Sequence, residues 1–142
     1  MVREAERCAP DETGGVLLGY AEQDGDDVVV LDVLGPGPNA KHDRARFEPD
    51  GRWQAERVAE RYEASGRVVA YLGDWHSHPK SPPIPSKLDT RTARRIAREK
   101  AARASEPLML ILGRRSPDEW ALAALRNRRR ALRPMRLEVF TD

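Results

Sequence analysis

The chain has 142 residues, 25 Lys and Arg against 23 Asp and Glu, 39% hydrophobic side chains and a single cysteine. That is enough for one core and too little for two, so one domain over residues 1–142 is expected. No apolar run approaches the roughly 20 residues of a bilayer span, the opening Met1-Val-Arg-Glu-Ala-Glu-Arg has no apolar signal region, and Cys8 has no second cysteine to pair with, so membrane, secreted and Cys-rich metal classes are set aside and a cytoplasmic protein is expected.

A short helix ending near Cys8 is the most that precedes the first strand. Val16-Leu-Leu-Gly-Tyr and Val28 to Leu34 predict two antiparallel strands with Asp24-Gly25-Asp26 as their turn. Gly35-Pro-Gly-Pro-Asn breaks the pattern, and a polar stretch runs through Phe47 to Pro49. Trp53, Val58 and Tyr62 then recur at helical spacing, with Asp50 as N-cap and Gly66 as stop. Arg67 to His76 is β-rich and predicts a core strand in which Trp75 packs inward. The loop after it holds Pro79, Pro82, Pro83 and Pro85 and cannot be helical. Ser86 opens a second helix to Ala104, with Leu88, Ala93, Ile96, Ala97 and Ala101 on its apolar face. Pro107 to Gly113, Glu119 to Leu125 and Leu132 to Phe140 predict three more strands, the last two on the far side of the sheet.

Charge is uneven along the chain. Residues 1–85 carry 10 basic and 16 acidic side chains, and residues 86–142 carry 15 and 7. Arg91, Arg94, Arg95, Arg98 and Arg128 to Arg130 would supply a nucleic-acid-binding face, the alternative function for this chain. The plainer reading is a solvated face in an Arg- and Ala-rich chain, and nucleic acid is not the expected partner.

The chemistry concentrates at Trp75-His76-Ser77-His78-Pro79. Residues i and i+2 of a strand point to the same side, so the two imidazoles can converge. Asp89 stands eleven residues after His78, in the first turn of the next helix, and the proline-rich loop can bring it round. Two histidines and a carboxylate suit catalytic Zn²⁺ with one position left for water. By chance the pattern His76-x-His78, seven residues, Ser86, two residues, Asp89 is expected about 2 × 10⁻⁴ times in a chain of this composition. His42 reads as a solvated loop residue, Cys8 as an inert thiol without a partner, and Asp74 as a candidate support for a histidine N–H.

This pattern, with Gly73-Asp-Trp-His-Ser-His-Pro and Glu12-Thr-Gly-Gly-Val-Leu-Leu-Gly around it, resembles the JAMM (Jab/MPN-domain) zinc metalloproteases, specifically the prokaryotic stand-alone type. The resemblance implies an MPN (JAB)-type α/β domain, a mixed curved β-sheet with two principal helices. It implies one Zn²⁺ held by His76, His78 and Asp89, with Glu12 as general acid and base. Ser86 is implied as an oxyanion donor, while its place in the sequence also suits a helix N-cap. The implied activity is hydrolysis of the amide bond after the C-terminal Gly-Gly of a ubiquitin-like or sulfur-carrier protein, in some relatives alongside activating- and conjugating-enzyme-like proteins. The strand ending at Asp74 and the loop Pro79 to Pro85 are expected to wall the groove, with the substrate tail adding as an edge strand.

Overall fold

The computed structural model describes every residue except Asp24, Gly25, Ala45 and Asp142. Helix α1 (Val2–Cys8) leads into β1 (Gly14–Ala21) and β2 (Val28–Leu34), then a small hairpin of β3 (Lys41–His42) and β4 (Phe47–Glu48). Helix α2 (Gly51–Ala64), strand β5 (Ala70–Ser77) and helix α3 (Lys87–Arg98) follow, and β6 (Leu108–Ser116), β7 (Glu119–Arg128) and β8 (Ala131–Pro134) close the chain. The expected turn between β1 and β2 falls on Asp24 and Gly25, outside the described residues.

Among the described residues, six strands form one mixed sheet in the order β2-β1-β5-β6-β7-β8. Every pairing is antiparallel except β5 with β6, which is parallel. That one parallel pair needs a crossover, and the crossover carries α3. Strands β7 and β8 extend the sheet away from β1 and β2, as expected. The sheet is also curved. Arg126 and Arg128, on β7, donate to the backbone carbonyl and side chain of Asp26 at 3.0 and 2.5 Å, and Asp26 lies just before β2, four places away in strand order.

Alternation along the strands divides the core. Val16, Leu18 and Leu34 face Trp53 and Val58 of α2, and Met109, Ile111 and Leu125 face Ala93 of α3. The intervening Leu17, Trp75, Leu108 and Leu110 pack on the other face with Met1, Val30 and Leu122. The expectation of Trp75 as a core residue holds: it is 1% exposed. Asp50 caps α2, its Oδ1 accepting from Trp53 N–H, and the helix ends at Ser65, just before Gly66.

Four expectations are corrected. The second helix ends at Arg98, not Ala104, because Glu99 leaves helical geometry and Lys100–Ala102 make a separate 3₁₀ turn on the way to β6. Leu88 is 48% exposed, since it lines the open cleft beside Glu12 and Asp89, and only Ala93 and Ile96 of the predicted stripe are buried. The last strand stops at Pro134, a residue with no N–H for a ladder, and Val139 and Phe140 beyond it are 75% and 87% exposed. The core strand begins at Ala70, because Arg67 sits at φ 69°, still in the turn after α2.

Gly15 permits a close approach of β1 to the end of β2. A Cβ there would stand 1.8 Å from the Leu34 carbonyl oxygen and 2.7 Å from the Trp75 indole nitrogen, which donates to that same carbonyl. Gly15→Ala is therefore expected to lower stability by about 2–4 kcal/mol, from overpacking and the strained hydrogen bond together. Urea denaturation checks it, and a loss within about 0.5 kcal/mol, the range of ordinary surface substitutions, would contradict this packing.

Candidate metal centre

His76 and His78 lie at the end of β5, the central strand, with their side chains directed to one side of it. His76 is opposite Gly14 of β1 and Ile111 of β6, so both neighbours fix its backbone. The His78 N–H donates to the Leu112 carbonyl at 2.7 Å, one residue past the strand. Its Nδ1 is 3.3 Å from the Pro82 carbonyl, an acceptor with no proton to give. That contact puts the proton on Nδ1 and the lone pair on Nε2.

The proline-rich loop is not helical, as expected, and it lies across the end of β6. Its Ser81 carbonyl accepts from Arg114 N–H at 2.8 Å, and a Cβ on Gly113 would stand 2.3 Å from Pro83 N. So seated, the loop delivers Ser86 and Asp89 to the histidines. Ser86 is the N-cap of α3 and forms a capping box with Asp89: Ser86 Oγ accepts from Asp89 N–H at 3.1 Å, and Asp89 Oδ2 accepts from Ser86 N–H at 2.7 Å.

The three side chains meet. His76 Nε2 and His78 Nε2 are 3.1 Å apart, and the Asp89 oxygens lie 3.1 Å from the first and 3.4 Å from the second. A tetrahedral ion with bonds of about 2.05 Å sets neighbouring ligand atoms roughly 3.3 Å apart, so these separations fit one. The residues are buried as a group, and a cation is what their converging lone pairs call for. Burial alone would raise the Asp89 pKa, but the two facing imidazoles outweigh it and hold the carboxyl well below its usual range. The same anion raises the His78 pKa against the effect of burial.

Glu12 joins this group from the other side of β5. Thr13 N–H donates to Ser77 Oγ at 3.0 Å, and Ser77 N–H donates to the Thr13 carbonyl at 2.8 Å, extending the β1–β5 seam to the residue beside Glu12. Glu12 N–H donates to the Asp43 carbonyl at 2.8 Å, and its own carbonyl lies 2.9 Å from His42 Nδ1. Held at both ends, Glu12 lines a cleft of about 280 Å³ with His76 and Asp89. It also lines a neighbouring one with His78, Ser86 and Asp89. Desolvation raises its pKa, opposed by the charges of His78 and His76.

Two side-chain expectations change here. Asp74 accepts from the Tyr71 hydroxyl at 2.9 Å, not from a histidine N–H, and burial pushes its carboxyl up to about 6. His42 is not a solvated loop residue: it is half-buried in β3 and holds the backbone of Glu12. Sequence reading missed both His42 and Ser77 as positioning residues. The signal for Ser77 was present, since it lies between the two histidines and must point to the opposite side. No such signal marked His42, whose partner is 30 residues away.

The basic residues do not form one uniform face. Arg91, Arg94, Arg95 and Arg98 are exposed along α3, but Arg94 Nε donates to the Arg130 carbonyl. Arg128 is paired with Asp26 and Glu106. No helix of the described residues is long and apolar enough to cross a membrane.

A curved mixed sheet with α2 and α3 on one face, and two histidines and an aspartate converging at the end of its central strand, defines a metal-centre domain of the JAB type. Residues 1–129 match the profile of prokaryotic homologs of the JAB domain, and the chain belongs to that family, the JAMM-type group. It is 37% identical over 121 residues to the probable metalloprotease y4qB of Sinorhizobium fredii, covering 84% of this chain and 73% of that one. It is 37% identical over 110 residues to the CD-NTase/cGAS isopeptidase of Vibrio cholerae, covering 77% and 65%, so about a third of that relative lies outside the match. Among solved structures, protein DSY2949 from Desulfitobacterium hafniense superposes with a TM-score of 0.61 at 24% identity, over 95% of this chain and 82% of that one. That likeness establishes the fold. The expected α/β class, with its mixed sheet and two principal helices beside the short α1, is the one observed.

Proposed function

We propose that this domain is a zinc-dependent peptidase or isopeptidase that hydrolyses the amide bond after the C-terminal Gly-Gly of a ubiquitin-like or sulfur-carrier protein in the cytoplasm. The observation that carries the proposal is the convergence of His76, His78 and Asp89 with Glu12 lining the same cleft. Zn²⁺ held by those three side chains supplies Lewis acidity, which polarises a carbonyl and lowers the pKa of water toward ~7.

The chain's own residues supply the rest. Glu12, made more basic by its partial burial, takes the proton of the attacking water and hands it to the departing amine. Ser86 can serve in both of its expected roles. Its oxygen accepts from Asp89 N–H in the cap, and the hydroxyl proton stays available to the oxyanion that develops on the carbonyl. Exposed Ile84 and Leu88, 67% and 48% accessible, border the cleft that holds Glu12 and Ser86 and offer apolar contact to an extended tail.

The expected route of tail binding needs one correction. Strand β5 is flanked by β1 and β6 and has no open edge for a substrate strand. We place the added strand along β4, which pairs with β3 alone among the described residues and contributes Phe47 and Glu48 to the cleft. Activating- and conjugating-enzyme-like proteins are the partners that a deconjugating role would serve. The isopeptidase name of the Vibrio cholerae relative supports this reading.

The test uses a ubiquitin-like protein fused through its Gly-Gly to a reporter. Glycines let the backbone approach the centre without Cβ obstruction, so cleavage directly after Gly-Gly is expected, with a fall of about 100-fold when the last Gly is replaced by Val. Equal rates on the two fusions would show that the tail is not read in this way.

A further inference from the structure

A second group of metal-ligating side chains lies apart from that cleft. Glu4 and Cys8 of α1 and His42 of β3 bring a carboxylate oxygen, a sulfur and an imidazole nitrogen within 4.8 Å of one another. Glu4 and Cys8 are spaced i and i+4 on one helix face, and the Cys8 thiol donates to Glu4 Oε1 at 3.4 Å. All three residues are half-buried, shielded but reachable by an ion.

His42 is the most telling member. Its Nδ1 faces the Glu12 carbonyl at 2.9 Å, so that nitrogen carries the proton and Nε2 keeps a free lone pair. Phe47 stacks on the ring, with centroids 6.2 Å apart and planes 14° from parallel, and fixes its orientation. An imidazole anchored through one N–H on a backbone carbonyl is the usual arrangement of a metal-ligating histidine. Arg7 also holds the Glu4 carboxylate, at 2.5 and 3.1 Å, but Arg7 is exposed and the carboxylate keeps further lone pairs.

We propose that Glu4, Cys8 and His42 form a second divalent-metal site of the Zn²⁺ and Co²⁺ class, with water as the fourth ligand. One soft sulfur with one nitrogen and one oxygen suits these ions over Mg²⁺ or Ca²⁺. Binding replaces the S–H bond of Cys8 by a sulfur–metal bond and releases the proton to solvent. The ion would tie α1 to the segment whose His42 and Asp43 hold Glu12, making Glu4 and Cys8 positioning residues for that segment. Cys8 is then not an inert thiol without a partner.

Titration of the full chain with Co²⁺ tests this directly. The histidine and aspartate centre holds no sulfur and the chain has one cysteine, so a near-ultraviolet sulfur-to-cobalt charge-transfer band can arise only at Cys8. Two ions per chain and that band are expected. Cys8→Ser should abolish the band, and His42→Gln should weaken the Co²⁺ affinity read from it by at least about tenfold. His76→Gln should remove one ion and leave the band, which separates this site from the proposed catalytic one. No band in the wild type, or one unchanged in both His42→Gln and Glu4→Gln, would overturn the site. Should Cys8→Ser not fold, alkylation of native Cys8 gives a second reading: Zn²⁺ should slow it at least about tenfold, and an unchanged rate would also overturn the site.

Discussion

Glu12→Gln is expected to lower kcat by about 10²- to 10⁴-fold while bound metal and thermal stability stay nearly unchanged. Gln keeps the size and shape of Glu and removes only its capacity to take a proton. The backbone of Glu12 is held by Asp43 and His42 whatever its side chain, so the local fold should persist. The raised pKa of the carboxyl, caused by desolvation, marks a group that binds a proton more readily than an exposed glutamate. Turnover of a Gly-Gly fusion and elemental analysis of the same preparation check the result. Loss of metal together with activity would make Glu12 a ligand and not a proton carrier.

Asp89→Ala is expected to remove both metal and turnover, and also to destabilise the domain. This carboxylate does two jobs through one side chain. It faces both imidazoles at 3.1 and 3.4 Å, and it accepts the Ser86 N–H at the start of α3. Truncation leaves two buried histidines without their anion and opens the capping box, which by itself costs about 0.5–2 kcal/mol. Ser86→Ala disrupts the cap while keeping the three ligands, so comparing the two variants separates the contributions. Metal retained at wild-type stoichiometry in Asp89→Ala would remove this residue from the ligand set.

The convergence of His76, His78 and Asp89 was legible in the sequence for a geometric reason. His76 and His78 share a strand face by period two, Asp89 sits at a capping position, and the prolines between rule out a helix that would carry it away. Both principal helices had their N-caps written in Asp50 and Ser86. What stayed hidden was tertiary. Strands of two residues, such as Lys41–His42, show no periodicity, so the hairpin that grips Glu12 left no trace. The alternation of Leu137 and Val139 imitates a strand, but no face awaits them beyond Pro134. Alanines kept the predicted second helix running to Ala104, while the chain had to turn at Glu99 to enter β6.

The parallel pairing of β5 with β6 bears on how the centre comes together. Because the crossover places α3 directly after the β5 loop, all three proposed cation ligands fall within the stretch from His76 to Asp89, a separation of 13 residues. Glu12 arrives through the seam between Thr13 and Ser77, which are 64 residues apart. Closing the longer loop costs about 1.4 kcal/mol more chain entropy than closing the shorter one. The proposed cation pocket is thus a nearly local structure, while the full centre depends on β1 meeting β5. On the proposed assignment, loosening that seam would part Glu12 from a pocket that still grips its ion, and metal content alone would then be no measure of a competent centre.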